Sequence, residues 1–447
     1  MKINFPSNAL LGLLTTALAL SSANAQSTFV PTAAGTYNWS ANATWSPASV
    51  PNASGVSIAK SAGPSSNTLS QDVVSGVTIG SVTLNGTSGN TWTIAPVNSI
   101  TFNNGGSGAS ISRTSSAAGG RIAITTGNII LADNLTLTNT DGTSASGSIV
   151  TTSLISGTGN LTISNSSNSI TLGHVQITGS ANTFVGSTTI QQGAVNFNNN
   201  SSFGNASNTI RVGTAGAATL MSILSTNLNL ANNIEVETGG ATIGSTSISG
   251  NNTYSGTVTL GGTTTTSSLS GSTALRFTNV ISGGGSLVTG GTGTTQLSGV
   301  NTYTGNTTAG TGSTLSLTSA GEIRFDLANA GVGNQILGAG TANFAGRFRL
   351  DVADVTTPAG SWTLVNVGTL TETFDAGTFG LAFLSGPTFT NVGGGLYTSG
   401  DWSFTTGTGV LTLVPEPSTW ALFGGGLLAL IIFRRRRALV ASRDALA

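Results

Sequence analysis

The chain has 447 residues, of which 6% are charged and 63 are glycine, and it contains no cysteine. Soluble proteins carry about 25% charged residues, so this sequence is polar but nearly uncharged, without the charge repulsion that holds disordered tails open. Disulfides, thiolate metal sites and cysteine nucleophiles are excluded, and eight basic against twelve acidic residues between Gln26 and Val414, a net of −4, leave no basic stripe for nucleic acid.

The N-terminus reads Met1-Lys2, an apolar run from about Ala9 to Leu20, and Ala23-Asn24-Ala25. A charged start, a short apolar segment and an A-x-A site predict a signal helix over residues 1–25, cleaved after Ala25 to leave Gln26 first. An exported chain without disulfides must hold itself together by other means, and a long backbone ladder over a stacked core is the natural one.

Self-similarity organises the next 300 residues. Leu297-Ser-Gly-Val-Asn301-Thr-Tyr303-Thr-Gly305 matches Ile248-Ser-Gly-Asn-Asn252-Thr-Tyr254-Ser-Gly256 and, more loosely, Ile177-Thr-Gly-Ser-Ala-Asn182-Thr-Phe184-Val-Gly186. Short strands such as Leu161-Thr-Ile163 and Leu315-Ser-Leu317 alternate apolar and polar residues, the mark of a half-buried strand. Such a strand cannot bury its apolar face alone, whereas stacked units share one core. Asn-Thr-aromatic-x-Gly reads as a corner, with Asn and Gly at positive φ and the aromatic covering the turn. The uneven spacing, 70 residues from Phe184 to Tyr254 and 49 from Tyr254 to Tyr303, requires further rungs between the copies.

These units resemble the autotransporter-associated β-strand repeat. The resemblance implies a right-handed parallel β-helix over residues 26–319, in an all-β protein. Asn38-Trp39-Ser with Ala43-Thr44-Trp45 looks like the start of such proteins, and the stretch from Gly333 to Val365 like their closing segment. Residues 320–413, richer in Asp and Phe, read as a C-terminal β cap, with a separate ligand-binding domain as the alternative.

Catalytic sets are sparse. His174 is the one histidine, and neither a Gly-x-Ser-x-Gly elbow nor a phosphate loop occurs. Glu235 and Glu237 lie two apart on a strand and read as an outward, solubilising pair; Asp351 and Asp354 lack calcium-loop spacing. The expectation is therefore no enzyme, no metal and no cofactor. Trp39, Trp45 and Trp402 are candidate sugar-stacking residues, with sealing of the core ends as the competing role. The Thr263–Thr266 run and the many Thr-x-Thr pairs permit a hydroxyl ladder for ice or crystalline polysaccharide; threonine also fills polar rung faces by propensity alone.

The C-terminus reads Val414-Pro415-Glu416-Pro417-Ser418-Thr419-Trp420, apolar residues to Phe433, and then Arg434, Arg435, Arg436 and Arg437. As helix, the 14 apolar residues from Trp420 to Phe433 span ~21 Å, a short transmembrane helix for a ~30 Å core. The arginines supply a cytoplasmic stop, and two prolines keep the tag Pro415–Pro417 extended outside the bilayer. This combination closely resembles the PEP-CTERM sorting signal. The resemblance implies a signal over 414–437, a cytoplasmic tail over 438–447, and an exosortase-type protease as partner. It further implies anchoring in the inner membrane during sorting, followed by delivery to the cell surface or extracellular matrix. The functional expectation is a structural or adhesive protein, in possible contact with extracellular polysaccharide; the alternatives are a carbohydrate- or ice-binding β-helix and, more remotely, a polysaccharide-degrading enzyme.

Overall fold

A computed structural model describes residues 26–414 and 426–435, apart from 62–64, 86–89, 115–119, 126, 141–146, 224–226, 248, 270–272 and 371–372. The body is a β-solenoid of about 11 turns, and 51% of the chain is strand. The strands of successive turns stack into three parallel faces, the third of them divided into two sheets. The first face runs from Gln26–Phe29 through Ser57–Ser61 and Leu135–Asn139 to Ile281–Gly283. The second runs from Gly35–Asn38 to Val365–Val367, and the third from Val77–Ile79 to Thr341–Phe344.

Register converts the alternation of each strand into ladders. On the first face Ile58, Val82, Ile111, Leu137, Ile163, Ile190, Val212, Val236 and Leu260 stand in one inward column. All are at most 2% exposed. Burying one such side chain contributes about 1.5–3 kcal/mol, and the stack makes that gain continuous along the rod. Turn length is not constant: 29 residues separate Val82 from Ile111, and 20 separate Leu287 from Thr307. The backbone ladder tolerates this because loops leave at the corners while strand register is kept.

The Asn-Thr-aromatic-Gly unit is built differently from a positive-φ corner. Asn182, Asn252 and Asn301 are buried, and none has positive φ. Each amide bridges turns: Asn182 Oδ1 accepts from Ile155 N–H at 2.8 Å, Asn252 Oδ1 from Leu228 N–H at 2.9 Å, and Asn301 Oδ1 from Ile281 N–H at 3.0 Å. Phe184, Tyr254 and Tyr303 point into the core, at most 1% exposed. The closing glycine allows close approach to the preceding turn: a Cβ on Gly305 would lie 2.3 Å from the Gly285 carbonyl oxygen. The copies also occupy different faces. Thr183 stacks on Ile155 and Tyr254 beside Leu230 on the third face, whereas Thr302 donates to the Ile281 carbonyl on the first. The 70-residue interval thus joins copies on one face several turns apart, and the 49-residue interval includes the change of face.

The compositional break at residue 320 does not end the solenoid. Glu322–Ala328, Arg347–Asp354 and Gly380–Phe383 pair in parallel, continuing from Val300–Asn301. The cap itself is an antiparallel sheet of Gly360–Thr363, Val410–Leu413, Trp402–Thr405, Leu396–Ser399 and Thr390–Gly393, joined to the last turns by Phe344, Phe348, Phe374, Phe379 and Phe404. At the other end, Trp45–Ser46 pairs antiparallel with the first strand and closes it. The predicted signal helix lies outside the described residues.

Candidate functional site

The last strand, Val410–Leu413, sits inside the cap sheet, paired on one side with Gly360–Thr363 and on the other with Trp402–Thr405. Val414 N–H donates to the Asp401 carbonyl at 3.0 Å. Regular pairing thus reaches the residue before the tag. Pro415, Glu416 and Pro417 lie outside the described residues, as do Ala23, Ala25, Arg436 and Arg437; Gln26 is exposed and opens the first strand.

Beyond the tag, residues 426–435 form a helix. Leu427, Leu428, Leu430, Ile431, Ile432 and Phe433 are all exposed on it, so it is apolar on every side and packs on nothing in the body. A helix apolar all round belongs in an apolar medium. Ten residues span ~15 Å, half of a ~30 Å hydrocarbon core. Among the described residues no helix is long and apolar enough to cross a membrane. Arg434 and Arg435 close the helix, where cations complement its dipole.

The tryptophans divide. Trp39 and Trp45 are 0% and 2% exposed, with indole N–H groups donating to the carbonyls of Pro51 and Trp39. Their rings are core, packed 5.2 Å apart, and are closed to sugar; the sealing role is the one the structure gives them. Trp402 is half-buried at the cap, 5.3 Å from Trp362 and 5.7 Å from Phe383, and keeps part of its ring open.

Candidate catalytic groups are partnered with each other. Arg211 binds Glu237 at 2.5 Å and Glu235 at 3.4 Å, so the two acids flank a guanidinium rather than a substrate space. Asp351 accepts from Arg324 at 2.7 Å, and Arg324 also holds Asp326; Glu322 pairs with Arg347 at 3.1 Å. Among the described residues no cluster of three or more His, Asp or Glu forms. Burial lowers the pKa of His174, with a Gln176 contact raising it and the Arg121 charge lowering it further. Lys60 is 2% exposed, and burial lowers its pKa too.

Shallow clefts interrupt the surface among the described residues. One of about 380 Å³ lies on the second face over Thr219, Thr242 and Thr265, beside Asn168. A second of about 430 Å³ includes the Arg211–Glu235 pair. The third, about 500 Å³, is lined by Gln296, Ser316, Asn343 and Asp375 on the third face. The Thr263–Thr266 run is no outward hydroxyl array, because Thr264 and Thr266 point inward and are buried. The outward hydroxyl columns stand elsewhere: Ser81, Ser110, Thr136, Thr162 and Thr189 align on the first face, as do Thr83, Ser112, Thr138 and Ser164. Those positions are spelled in the sequence by Thr-Leu-Thr and Ser-Ile-Ser, but their alignment depends on turn lengths that the sequence does not state.

Fold and C-terminus together define a class: a β-solenoid body joined without a spacer to a sorting segment. Residues 413–437 match the PEP-CTERM protein-sorting motif. The motif implies an exported protein that is anchored in the membrane and then processed by an exosortase. Comparison with curated proteins and with solved structures gave no significant match.

Proposed function

We propose that the sorted body is a non-enzymatic structural and adhesive rod of the cell surface or extracellular matrix. The observation carrying this reading is the outer surface itself. Long parallel columns of Ser and Thr line its first face, and several of the few charges form local pairs such as Arg211 with Glu237 and Arg324 with Asp351. Such a surface offers many weak, uncharged hydrogen-bonding positions over a large area, which suits multivalent adhesion better than turnover. Glycan contact is favoured at the third-face cleft, which is lined by two amides, three hydroxyl residues and the Asp375 carboxylate.

The test is fractionation of native cells with mass spectrometry of the protein's C-terminus. A C-terminus near Pro415–Pro417 in the surface or matrix fraction is expected. Replacing Pro415, Glu416 and Pro417 with alanine should hold the chain in the inner membrane with its arginines intact. Normal delivery of that variant would overturn the sorting reading, and an intact matrix after deletion of the whole protein would overturn the adhesive one.

A further inference from the structure

Four successive turns of the first face present one repeating neutral pattern. In order the rows are Ser81, Thr83, Asn85; Ser110, Ser112, Thr114; Thr136, Thr138, Thr140; and Thr162, Ser164, Ser166. Strand register aligns the first two columns across all four rows and Asn85 with Thr114 in the third. Thr140 N–H donates to the Arg113 carbonyl and Ser166 N–H to that of Asn139, which continues the third column. The first column extends to Ser57 on one side and Thr189 on the other. Beneath it, Ile111, Leu137 and Ile163 stack in register and hold the rows level. The pattern stops at the Arg211–Glu235 rung, where charge takes over.

The other faces do not reproduce it. On the second face one outward column passes through Ala123, Val150, Gln176, Asn196 and Met221, all but Gln176 at most 4% exposed, and Asn196 Nδ2 donates to the Ile170 carbonyl at 2.7 Å, so a loop lies over it. The neighbouring column runs Thr219, Thr242, Thr265 as a single hydroxyl row and gives way to Val288. On the third face Thr253, Arg276, Gln296, Ser316 and Asn343 mix charge and amide in a single column.

A ligand for the first face must be uncharged, flat and periodic. Rungs repeat every ~4.8 Å, and alternate residues along a strand every ~6.6 Å. Where water oxygens bond tetrahedrally at ~2.75 Å, second neighbours lie about 4.5 Å apart and the perpendicular repeat is about 7.3 Å. Both spacings agree with the protein's to about a tenth. The array contains neither an aromatic platform nor a charged group that would select a sugar ring. The geometry points to this face, Ser81 to Ser166, as an ice-binding plane, whose hydroxyl rows anchor water in the lattice of a growing crystal. Ordered water is its occupant, and the rod would hold ice at the cell exterior.

The experiment uses the full chain purified in mild detergent, with a detergent blank, in an ice-recrystallisation assay and in adsorption of labelled protein to a single ice crystal. The parent chain is expected to restrict crystal growth and to coat the ice. Thr138→Tyr, at the centre of the array, should weaken both by 10-fold or more, and Thr265→Tyr on the second face should change neither. Circular dichroism checks the fold; if Thr138→Tyr loses its β signal, Thr162→Tyr replaces it. An inactive parent overturns the proposal, as does a Thr138→Tyr chain that retains full activity or an equal loss in Thr265→Tyr. If the parent ignores ice but binds microcrystalline cellulose, and Thr138→Tyr abolishes that, the face belongs to a glycan and the proposal also fails.

Discussion

One inward column of the second face reads Leu69, Ile94, Ile124, Thr151, Ile177, Phe197, and then Ser222, Ser245, Ser268, Gly291. The early turns fill most of their cross-section with aliphatic and aromatic side chains, Trp92 and Phe102 among them, and bury Arg113 and Asn139 at one corner. The later turns keep this column small and fill the space from the third face, with Tyr254 and Phe277 stacked 5.3 Å apart. Most of the polar atoms that result are paired, Thr264 Oγ1 being an exception. Tyr254 hydroxyl donates to the Gly244 carbonyl at 2.9 Å, and Asn252 Nδ2 to Ser245 Oγ at 2.6 Å and Ser222 Oγ at 3.0 Å. Thr266 and Thr295 hydroxyls meet at 2.6 Å, and those of Thr289 and Ser313 do likewise. Burial drives the Tyr303 phenol up to about 12 despite its Thr307 contact, so these hydroxyls stay neutral. The same ladder therefore accepts two core chemistries, provided volume is conserved and most buried hydroxyls find a partner.

The largest expected effect separates the two regions by what each loses when a core group is removed. Ile124→Ala should destabilise the early turns by ~2–5 kcal/mol through lost burial and a cavity. Thr266→Val should cost ~1–3 kcal/mol by stranding the Thr295 hydroxyl, while the double variant Thr266→Val, Thr295→Val should be nearly neutral. Hydrogen exchange read turn by turn checks all three. A double variant as damaged as the single one would break the account of the later core.

A smaller effect concerns acid. Burial pushes the Asp133 carboxyl's pKa up, but N–H groups of Asn134, Asn104, Gly106 and Gly108 outweigh it and hold the carboxyl below its ordinary range. A lowered folded pKa gives stability that is present above the unfolded value, about 3.9, and lost as pH falls through the folded one. Protection of residues 104–108 should thus fall at low pH in the parent and stay flat in Asp133→Asn. Equal acid sensitivity in both would remove Asp133 as the cause. The smallest effect is expected at Arg211→Ala: its ion pairs are solvent-exposed, and exposed pairs contribute little to stability. A shift that is large and insensitive to salt would mean that this rung is structural.

The sequence by itself determined the all-β class, the stacked half-buried strands and the sorting segment. Alternation and the Pro-Glu-Pro tag are local codes, and local codes survive without coordinates. The tertiary structure decided what depends on which turn lies above which. It moved Asn252 and Asn301 from supposed corners to buried brackets, closed Trp39 and Trp45 to solvent, and turned Thr264 and Thr266 inward. It carried the parallel rungs past residue 320 and aligned hydroxyls some 26 residues apart, such as Thr136 and Thr162, into one column. The physical reason is that a side chain's face follows from parity within its own strand. Its neighbours across the ladder follow from the length of every loop between, and loops of unequal length leave no period to read.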